Sequence, residues 1–318
     1  MSEHNTRAPR SIFQTFLDLP YVANVADVDA EIAIIGMPYG DPYSVDELVN
    51  DQTNAPTALR RASMRLCQSL DRYDFDIGGT VFDGRPIRMV DMGDIAADLQ
   101  DIHHHYRFAE QTIRALVAKG VLPISIGGDH GIPIPILRGL DQMGPVTIIH
   151  LDAHLDWRDE VNDVREGFSS TIRRASEMAH IGQIFQLGIR GSGSARPEEV
   201  EDALAHGAQI ITHAEWEDAG TAAILERIPD NGNYYITIDA DGFDPSVMPA
   251  VALPQPGGIK YREAIDLIKG IVAKGRVIGM DIVEITPERD VNEISSITAG
   301  HIILNLIGAA VRANYFER

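Results

Sequence analysis

The sequence contains a single cysteine, Cys67, among its 318 residues. No disulfide can therefore form within the chain, and this usage is typical of proteins of a reducing compartment such as the cytoplasm. Cys67 follows Leu66 in a helical pattern, which predicts a packed thiol rather than a nucleophile.

Long apolar runs are also missing. No run approaches the roughly 20 apolar residues that a membrane-spanning helix needs. Residues 1–10 are polar and lack the apolar core of a signal peptide. We therefore expect no membrane-spanning or secretory segment.

Basic residues are scarce: the sequence has 27 Lys and Arg residues but 47 Asp and Glu residues, which gives a formal net charge of −20. This balance argues against nucleic acids and anionic membranes as partners, because both attract basic surfaces. Among small molecules, it gives a slight preference for cationic substrates.

The chain reads as one α/β domain. No linker of Pro, Gly and Ser divides it, so we predict an N-terminal arm, residues 1–29, followed by a single domain, residues 30–318. In the arm, Phe13, Phe16 and Leu17 can pack on the body or on a neighbouring subunit. Eight short apolar segments alternate with helical patterns, which predicts a parallel sheet covered by helices on both faces. The predicted strands are residues 30–36, 87–91, 122–126, 146–149, 184–189, 208–212, 233–238 and 277–283, and the helices lie near residues 56–61, 103–119, 199–206, 221–227, 261–273 and 297–311.

Polarity inverts sharply after the fourth predicted strand. Asp152, His154 and Asp156 fall at alternate positions, so an extended backbone would aim them to one side. At roughly 3.3 Å per residue, a straight strand would hold Asp152 and Asp156 about 13 Å apart. The segment must therefore curl, or its ligands must serve two ions. Burying such groups is costly without a cation, and mixed Asp/His ligation suits Mn, Ni, Zn or Fe. The alternative is a solvated loop.

Polar residues gather at the carboxyl ends of four predicted strands, where ligands bind in open α/β sheets. Six of them supply four carboxylates and two imidazoles, too many for one tetrahedral ion. The set fits two ions roughly 3.5–4 Å apart, which can lower the pKa of a shared water. The residues are His130, Asp152, His154, Asp156, Asp239 and Asp241, with Glu284 after the eighth strand.

Three consecutive histidines, His103 to His105, are also candidate metal ligands by residue type. Consecutive residues on a helix point in three directions, however, so we expect them to begin a helix instead.

Taken together, the motifs resemble those of the ureohydrolases, which comprise arginases, agmatinases and related guanidino hydrolases. The resemblance is closest to the agmatinase-like branch and extends from about residue 30 to the C-terminus. It rests on these motifs: Gly127-Gly128-Asp129-His130, Asp152-Ala153-His154-Leu155-Asp156, Asp239-Ala240-Asp241-Gly242-Phe243-Asp244-Pro245, Pro256-Gly257-Gly258-Ile259, Asp281-Ile282-Val283-Glu284-Ile285-Thr286-Pro287, Asp91-Met92-Gly93-Asp94 and Arg173-Arg174-Ala175.

This resemblance implies a three-layer α/β/α, arginase-like fold with an eight-stranded parallel sheet and a centre of two divalent ions, Mn or Ni. Asp152 and Asp239 would bridge the ions, and a hydroxide between them would attack the guanidinium carbon to release urea. Asp156 and Glu284 would be catalytic, with Glu284 holding the guanidinium. By the motifs, one ion would take His130, Asp152, Asp156 and Asp239, and the other Asp152, His154, Asp239 and Asp241.

Three departures from the family pattern concern the substrate. Alignment on Arg173-Arg174-Ala175 puts Phe168 where the family usually has a histidine that relays protons or places the substrate. Leu253 lies where a Gly-Thr-Pro segment is usual, and Asn50 lies in a loop that is usually rich in Arg and Gly. We expect Phe168, Leu253 and Asn50 to border the substrate and to favour an apolar substituent.

These features lead to a hypothesis: a metal-dependent amidinohydrolase for an alkyl-substituted guanidine or a biguanide. The alternatives are an agmatinase or guanidinobutyrase proper, and a catalytically silent subunit of a heteromeric ureohydrolase. A single-zinc deacetylase on a related fold would leave His130, Asp156 and Asp241 unexplained. The resemblance also implies a homo-oligomer, a trimer or hexamer, unless a homologous subunit joins it.

Overall fold

One parallel sheet of eight strands organises the chain. The computed structural model describes residues 14–44, 50–96 and 102–317. All strand pairs between neighbours are parallel, in the order β2-β1-β3-β8-β7-β4-β5-β6. The eight predicted strands are thus confirmed. They are β1 Ile32–Met37, β2 Met89–Asp94, β3 Leu122–Gly127, β4 Val146–Leu151, β5 Ile181–Ile189, β6 Gln209–Thr212, β7 Asn233–Asp239 and β8 Arg276–Val283.

Helices cover both faces of this sheet, as predicted. Alternate residues of β1 enter two different cores: Ile32 and Ile34 face one side, Ala33 and Ile35 the other. The first core is closed by α1 and α6 to α9, and the second by α2 to α5. The helices are α1 Ala55–Cys67, α2 Ile102–Ala118, α3 Pro133–Gly139, α4 Thr171–Ser176, α5 Pro197–His206, α6 His213–Ala219, α7 Thr221–Arg227, α8 Tyr261–Lys274 and α9 Ile294–Arg312.

Short helical turns of the 3₁₀ type connect these elements at several places. Two of them lie in the arm, and others lie beside the strand ends that carry the polar motifs. Their bounds are Phe16–Asp18, Val25–Asp27, Asp51–Asn54, Phe168–Ser170, Ala240–Gly242, Pro287–Arg289 and Val291–Glu293.

The closing helix is the one described helix that is long and apolar enough to cross a membrane by length and composition. Its apolar window lies within Val291–Arg312, and 78% of that window is buried inside the protein. Ile302, Ile303 and Leu306 belong to the same core as β7 and β8. This helix is therefore a core helix, which its sequence alone did not distinguish from a membrane span.

The described part of the arm packs on its own body. Phe16 and Leu17 are buried in the core, so they are not available to a neighbouring subunit. The backbone N–H of Phe16 donates to Asp91 Oδ2 at 2.7 Å, and that of Leu17 donates to Ser63 Oγ at 2.8 Å. Phe13 lies outside the described residues, and the division at residue 30 stays a prediction.

A buried ion pair fixes the edge of the sheet beneath the arm. Arg60 on α1 donates to Asp91 Oδ2 at 2.8 Å and to Asp91 Oδ1 at 3.0 Å, a two-pronged contact. It also donates to Asp94 at 2.5 Å and to the carbonyl of Gly93 at 2.9 Å. Asp91 is fully buried, so its charge depends on Arg60 and on the arm's N–H group.

Candidate metal centre

The predicted site residues converge at the carboxyl ends of β3, β8, β7 and β4, four neighbouring central strands. The strands β3 and β4 follow each other in sequence but are separated by β8 and β7 in the sheet. Such a reversal of strand order opens a crevice where α/β proteins bind ligands. The fold therefore places the polar motifs at its natural binding edge.

His130 lies at the centre of the first cluster. Its Nδ1 is 3.0 Å from Asp152 Oδ2, 3.0 Å from Asp156 Oδ2 and 3.1 Å from Asp239 Oδ2. All four side chains are buried. One ring nitrogen carries at most one proton, so it cannot satisfy three carboxylates by hydrogen bonds.

The geometry of this cluster fits a metal ion. His130 Nδ1 and Asp156 Oδ2 are buried and make no hydrogen bond, although they lie 3.0 Å apart. Two ligand atoms are about 3 Å apart when each lies about 2.1 Å from the same ion and the angle between them at the ion is about 90°. The close but unbonded atoms are therefore arranged as ligands of a common ion.

A second group adjoins the first through Asp152. His154 Nδ1 is 3.1 Å from Asp241 Oδ2 and 3.5 Å from Asp152 Oδ1. Asp152 thus turns one oxygen toward His130 and the other toward His154. Two sets of donor atoms could each hold a metal ion: His130, His150, Asp152 and Asp156, and Asp152, His154 and Asp241.

The backbone conformation at Asp156 explains how Asp152 and Asp156 can lie close together, although a straight strand would hold them far apart. Asp156 has φ of +49°, in the left-handed region that non-glycine residues seldom adopt. Its carbonyl accepts the N–H groups of Ile172 and Arg173, both at 3.1 Å, which fixes the turn onto α4. The chain therefore curls back and brings Asp156 to His130. The same motif also supplies ligand atoms to both donor sets, because Asp152 belongs to each of them.

Burial of so many acids is electrostatically costly without a cation. Burial, and then the nearby carboxylates of Asp241 and Asp152, raise the pKa of Asp239 well above its ordinary value. Burial lowers the pKa of His154, but hydrogen bonds to Asp152 and Asp241 outweigh it and raise that pKa to about 12. A divalent cation would relieve this repulsion among the carboxylates.

Glu284 forms a separate wall of the site. Its Oε1 accepts the N–H of His130 at 2.8 Å, and its Oε2 accepts Gln52 Nε2 at 2.9 Å. Its φ of +63° is again left-handed, so the chain turns as β8 ends. Burial and the adjacent Asp129 raise the pKa of Glu284 to about 8.

A cleft of about 360 Å³ opens onto these residues. Phe168 and Leu253 line it, and the centroid of the Phe168 ring lies 4.7 Å from that of the Tyr43 ring. From the loop before α1, the described residue on the cleft wall is Gln52 rather than Asn50. Asn50 is partly buried and is not part of this lining, and its expected contact with the substrate stays a prediction.

Two further residues here were not assigned from sequence. His150 is fully buried, and its Nε2 lies 2.8 Å from Asp152 Oδ2. Its position two residues before Asp152 was a signal, because both then face the same side of β4. Gln52 gave no such signal, since its contact with Glu284 spans 232 residues.

The triple histidine does not reach the cleft. His103 is exposed, and His105 is buried with Tyr39 and Tyr106, with ring centroids 6.4 Å and 4.9 Å away. In the part of the chain that the structure describes, neither metal-binding group includes these histidines. They belong to α2, as predicted.

Fold and site together define a class: α/β proteins with a carboxylate- and histidine-rich centre at the switch point of a parallel sheet. The model of the arginase family matches residues 30–308, and the chain belongs to that family. Arginase-family amidinohydrolases hydrolyse C–N bonds, so this chain is a hydrolase of that type, in the agmatinase-like branch.

Individual relatives agree with this placement. Guanidinobutyrase from Pseudomonas aeruginosa is 27% identical over 300 residues, which cover 92% of this chain and 91% of that protein. Agmatinase from Pyrococcus horikoshii is 28% identical over 286 residues, covering 89% and 93%. The structure of proclavaminate amidinohydrolase from Streptomyces clavuligerus has a TM-score of 0.82 at 27% identity, and the match covers 95% of this chain and 98% of that one.

Proposed function

We propose that this protein hydrolyses a guanidino compound to urea and an amine at a centre of two divalent metal ions, Mn or Ni. The observation that carries the proposal is the convergence of three carboxylates on the unbonded Nδ1 of His130, next to the His154 and Asp241 pair. His130, Asp152, Asp156 and Asp239 would hold one ion, and Asp152, His154, Asp239 and Asp241 the other.

The two ions would supply Lewis acidity and an activated water. Glu284 would bind the planar guanidinium, because a carboxylate matches two of its N–H groups. Gln52 and the N–H of His130 hold this carboxylate at the cleft wall. Asp156, whose Oδ2 lies 3.0 Å from His130 Nδ1, is expected to take part in catalysis as well as in metal binding.

The apolar part of the cleft lining favours an apolar substituent. Trp157, Phe168, Tyr43 and Leu253 present aromatic and aliphatic surface to the cleft. Phe168 can exclude water but cannot transfer a proton, unlike the histidine expected there from the family pattern. This supports an alkyl-substituted guanidine or a biguanide as the substrate class.

One observation favours a second candidate, a guanidinobutyrase-like substrate with a carboxylate tail. Arg158 lines the cleft, and among the described residues its guanidinium forms no ion pair. In a chain of net charge −20, such a cation is available to an anionic ligand. Guanidinobutyrate would place its carboxylate there, whereas agmatine would bring an unfavourable ammonium group.

The test is urea release from a panel of guanidino compounds by the metal-stripped protein supplied with Mn²⁺ or with Ni²⁺. The panel contains alkylguanidines, a biguanide, guanidinobutyrate and agmatine. Urea from any of them supports the reaction class. The preferred compound distinguishes a substrate with an apolar substituent from one with a carboxylate tail. A protein that binds two ions and yet releases no urea would instead be the silent subunit, and its activity would depend on a homologous chain.

Replacing Phe168 by histidine is expected to raise kcat/KM for agmatine or guanidinobutyrate relative to an alkylguanidine. General acid assistance is typically worth about 10²–10⁴-fold, so the gain should be largest for poor leaving groups. The control is Arg158→Met, which should selectively weaken use of guanidinobutyrate. An unchanged substrate ratio in Phe168→His would show that this ring does not meet the substrate.

We also propose a cytoplasmic homo-oligomer, a trimer or hexamer, unless a homologous subunit joins it. Cys67, a free thiol on α1, suits a reducing compartment. The buried Phe16 and Leu17 cannot supply the interface, so it must lie elsewhere on the surface. Light scattering on the purified chain is expected to give at least three protomers, and a monomer at working concentration would contradict this.

A further inference from the structure

Behind His130, on the side away from the cleft, three side chains extend a hydrogen-bonded network. His130 Nε2 lies 3.0 Å from Thr237 Oγ1, and Thr237 Oγ1 donates to Asp281 Oδ1 at 2.8 Å. The hydroxyl of Tyr235 donates to the other oxygen, Asp281 Oδ2. Thr237, Asp281 and Tyr235 are each fully buried, and we call these three the Asp281 network.

Proton counting decides the direction of each bond. Thr237 has one hydroxyl proton, and it is given to Asp281, so Thr237 Oγ1 can only accept from His130. His130 must then carry a proton on Nε2. The ring therefore turns Nε2 toward Thr237 and its other nitrogen, Nδ1, toward Asp152, Asp156 and Asp239.

Strand register builds this arrangement. Thr237 on β7 stands directly opposite Asp281 on β8, and Tyr235 stands opposite Gly279. A Cβ at Gly279 would come within 2.9 Å of Tyr235 Cε2. Because Gly279 has no side chain, the Tyr235 ring can lie against β8 at this position and reach Asp281. Thr237 occupies the space next to His130.

We propose that the Asp281 network is a positioning device for the metal centre. It fixes the His130 ring through the bond between Nε2 and Thr237 and thereby keeps Nδ1 facing the position where an ion would bind together with Asp156. Thr237, Asp281 and Tyr235 are positioning residues that do not touch the ion or the substrate. This inference rests on the proposed metal-dependent function.

The matched control lies one residue away. Tyr234 is also fully buried on β7, but its hydroxyl donates to the carbonyl of Pro229 and accepts the N–H of Gly232. Tyr234→Phe and Tyr235→Phe therefore remove the same atom from the same strand at equal burial. The two variants differ in whether the hydroxyl belongs to the Asp281 network.

The experiment measures binding of Mn²⁺ alone to the metal-stripped full chain, by chelator competition and by electron paramagnetic resonance. Thr237→Val is expected to weaken binding of one ion by about 10–100-fold, as is typical when an outer hydrogen-bond partner of a ligand is lost. Tyr235→Phe should show a smaller loss in the same direction. The spectrum of a coupled Mn²⁺ pair should give way to that of a single ion held near His154 and Asp241.

Thr237→Ser keeps the hydroxyl and should restore the parent affinity, which separates positioning from simple packing. Tyr234→Phe should bind two ions like the parent, even if its melting temperature falls as far as that of Tyr235→Phe. Parent-like affinity in both Thr237→Val and Tyr235→Phe would overturn the network's role while leaving the metal centre intact. A parent chain that binds no Mn²⁺ would instead refute the metal centre itself, and the inference with it.

Discussion

Asp152→Ala is expected to abolish urea release and to lower metal content. Asp152 faces His130 with one oxygen, at 3.0 Å, and His154 with the other, at 3.5 Å, so its loss should affect both ions. Asp239→Ala is expected to act in the same way, since Asp239 is the other proposed bridging ligand and its carboxylate lies 3.1 Å from His130. Elemental analysis and a urea assay on the same preparations measure both effects.

His103→Ala provides the control for this prediction. His103 is exposed on α2 and lies outside both donor sets, so its removal should leave metal content and activity unchanged. Full occupancy by two metals in Asp152→Ala or Asp239→Ala would refute the assignment of bridging ligands. A loss of metal from His103→Ala would point to a further site on α2.

Asp91→Ala is expected to destabilise the fold by about 3–5 kcal/mol, because it leaves the buried charge of Arg60 with only the partly exposed Asp94 as its ionic partner. The same carboxylate accepts Arg60 twice and the N–H of Phe16 once, so the arm should loosen as well. Urea denaturation measures the free energy of unfolding. Limited proteolysis reports separately on release of the arm.

Glu293→Ala is the matched control for Asp91→Ala. It breaks an ion pair with Arg61, which follows Arg60 on α1. The Arg61 side chain is 60% exposed. Exposed pairs of this kind contribute about 0–1 kcal/mol. If both variants lost equal stability, burial would not be the reason for the importance of Asp91.

Most strands were predictable because they carry apolar, β-branched residues that suit burial on both faces, as β4 does with Val146–Leu151. The strand β2, Met89–Asp94, has a weaker pattern because Asp91 interrupts it. The helices α3, α4 and α6 were not predicted, because six or seven residues offer little periodicity, although the equally short α7 was predicted. Helix α9 was predicted as a helix, but its burial on nearly all sides depends on the strands and helices that surround it.

The residues of the candidate metal centre could be proposed from sequence because each motif directly follows a strand. Strand ends of a parallel sheet meet at one edge, so local pattern and fold class together determine which residues converge. The positions of Gln52 and the Asp281 network could not be inferred in this way. They depend on loop paths and strand register between segments that are distant in sequence, such as Gln52 and Glu284.

The strand order has a consequence for synthesis of the chain on the ribosome. Before residue 233 emerges, β2-β1-β3 and β4-β5-β6 can form only as two separate half-sheets, since β8 and β7 lie between them. The inner edges of both halves, β3 and β4, are then open and apolar, which is the condition in which nascent strands pair wrongly. Residues 233–283 join the halves, so the proposed metal centre can be loaded only when translation is nearly complete.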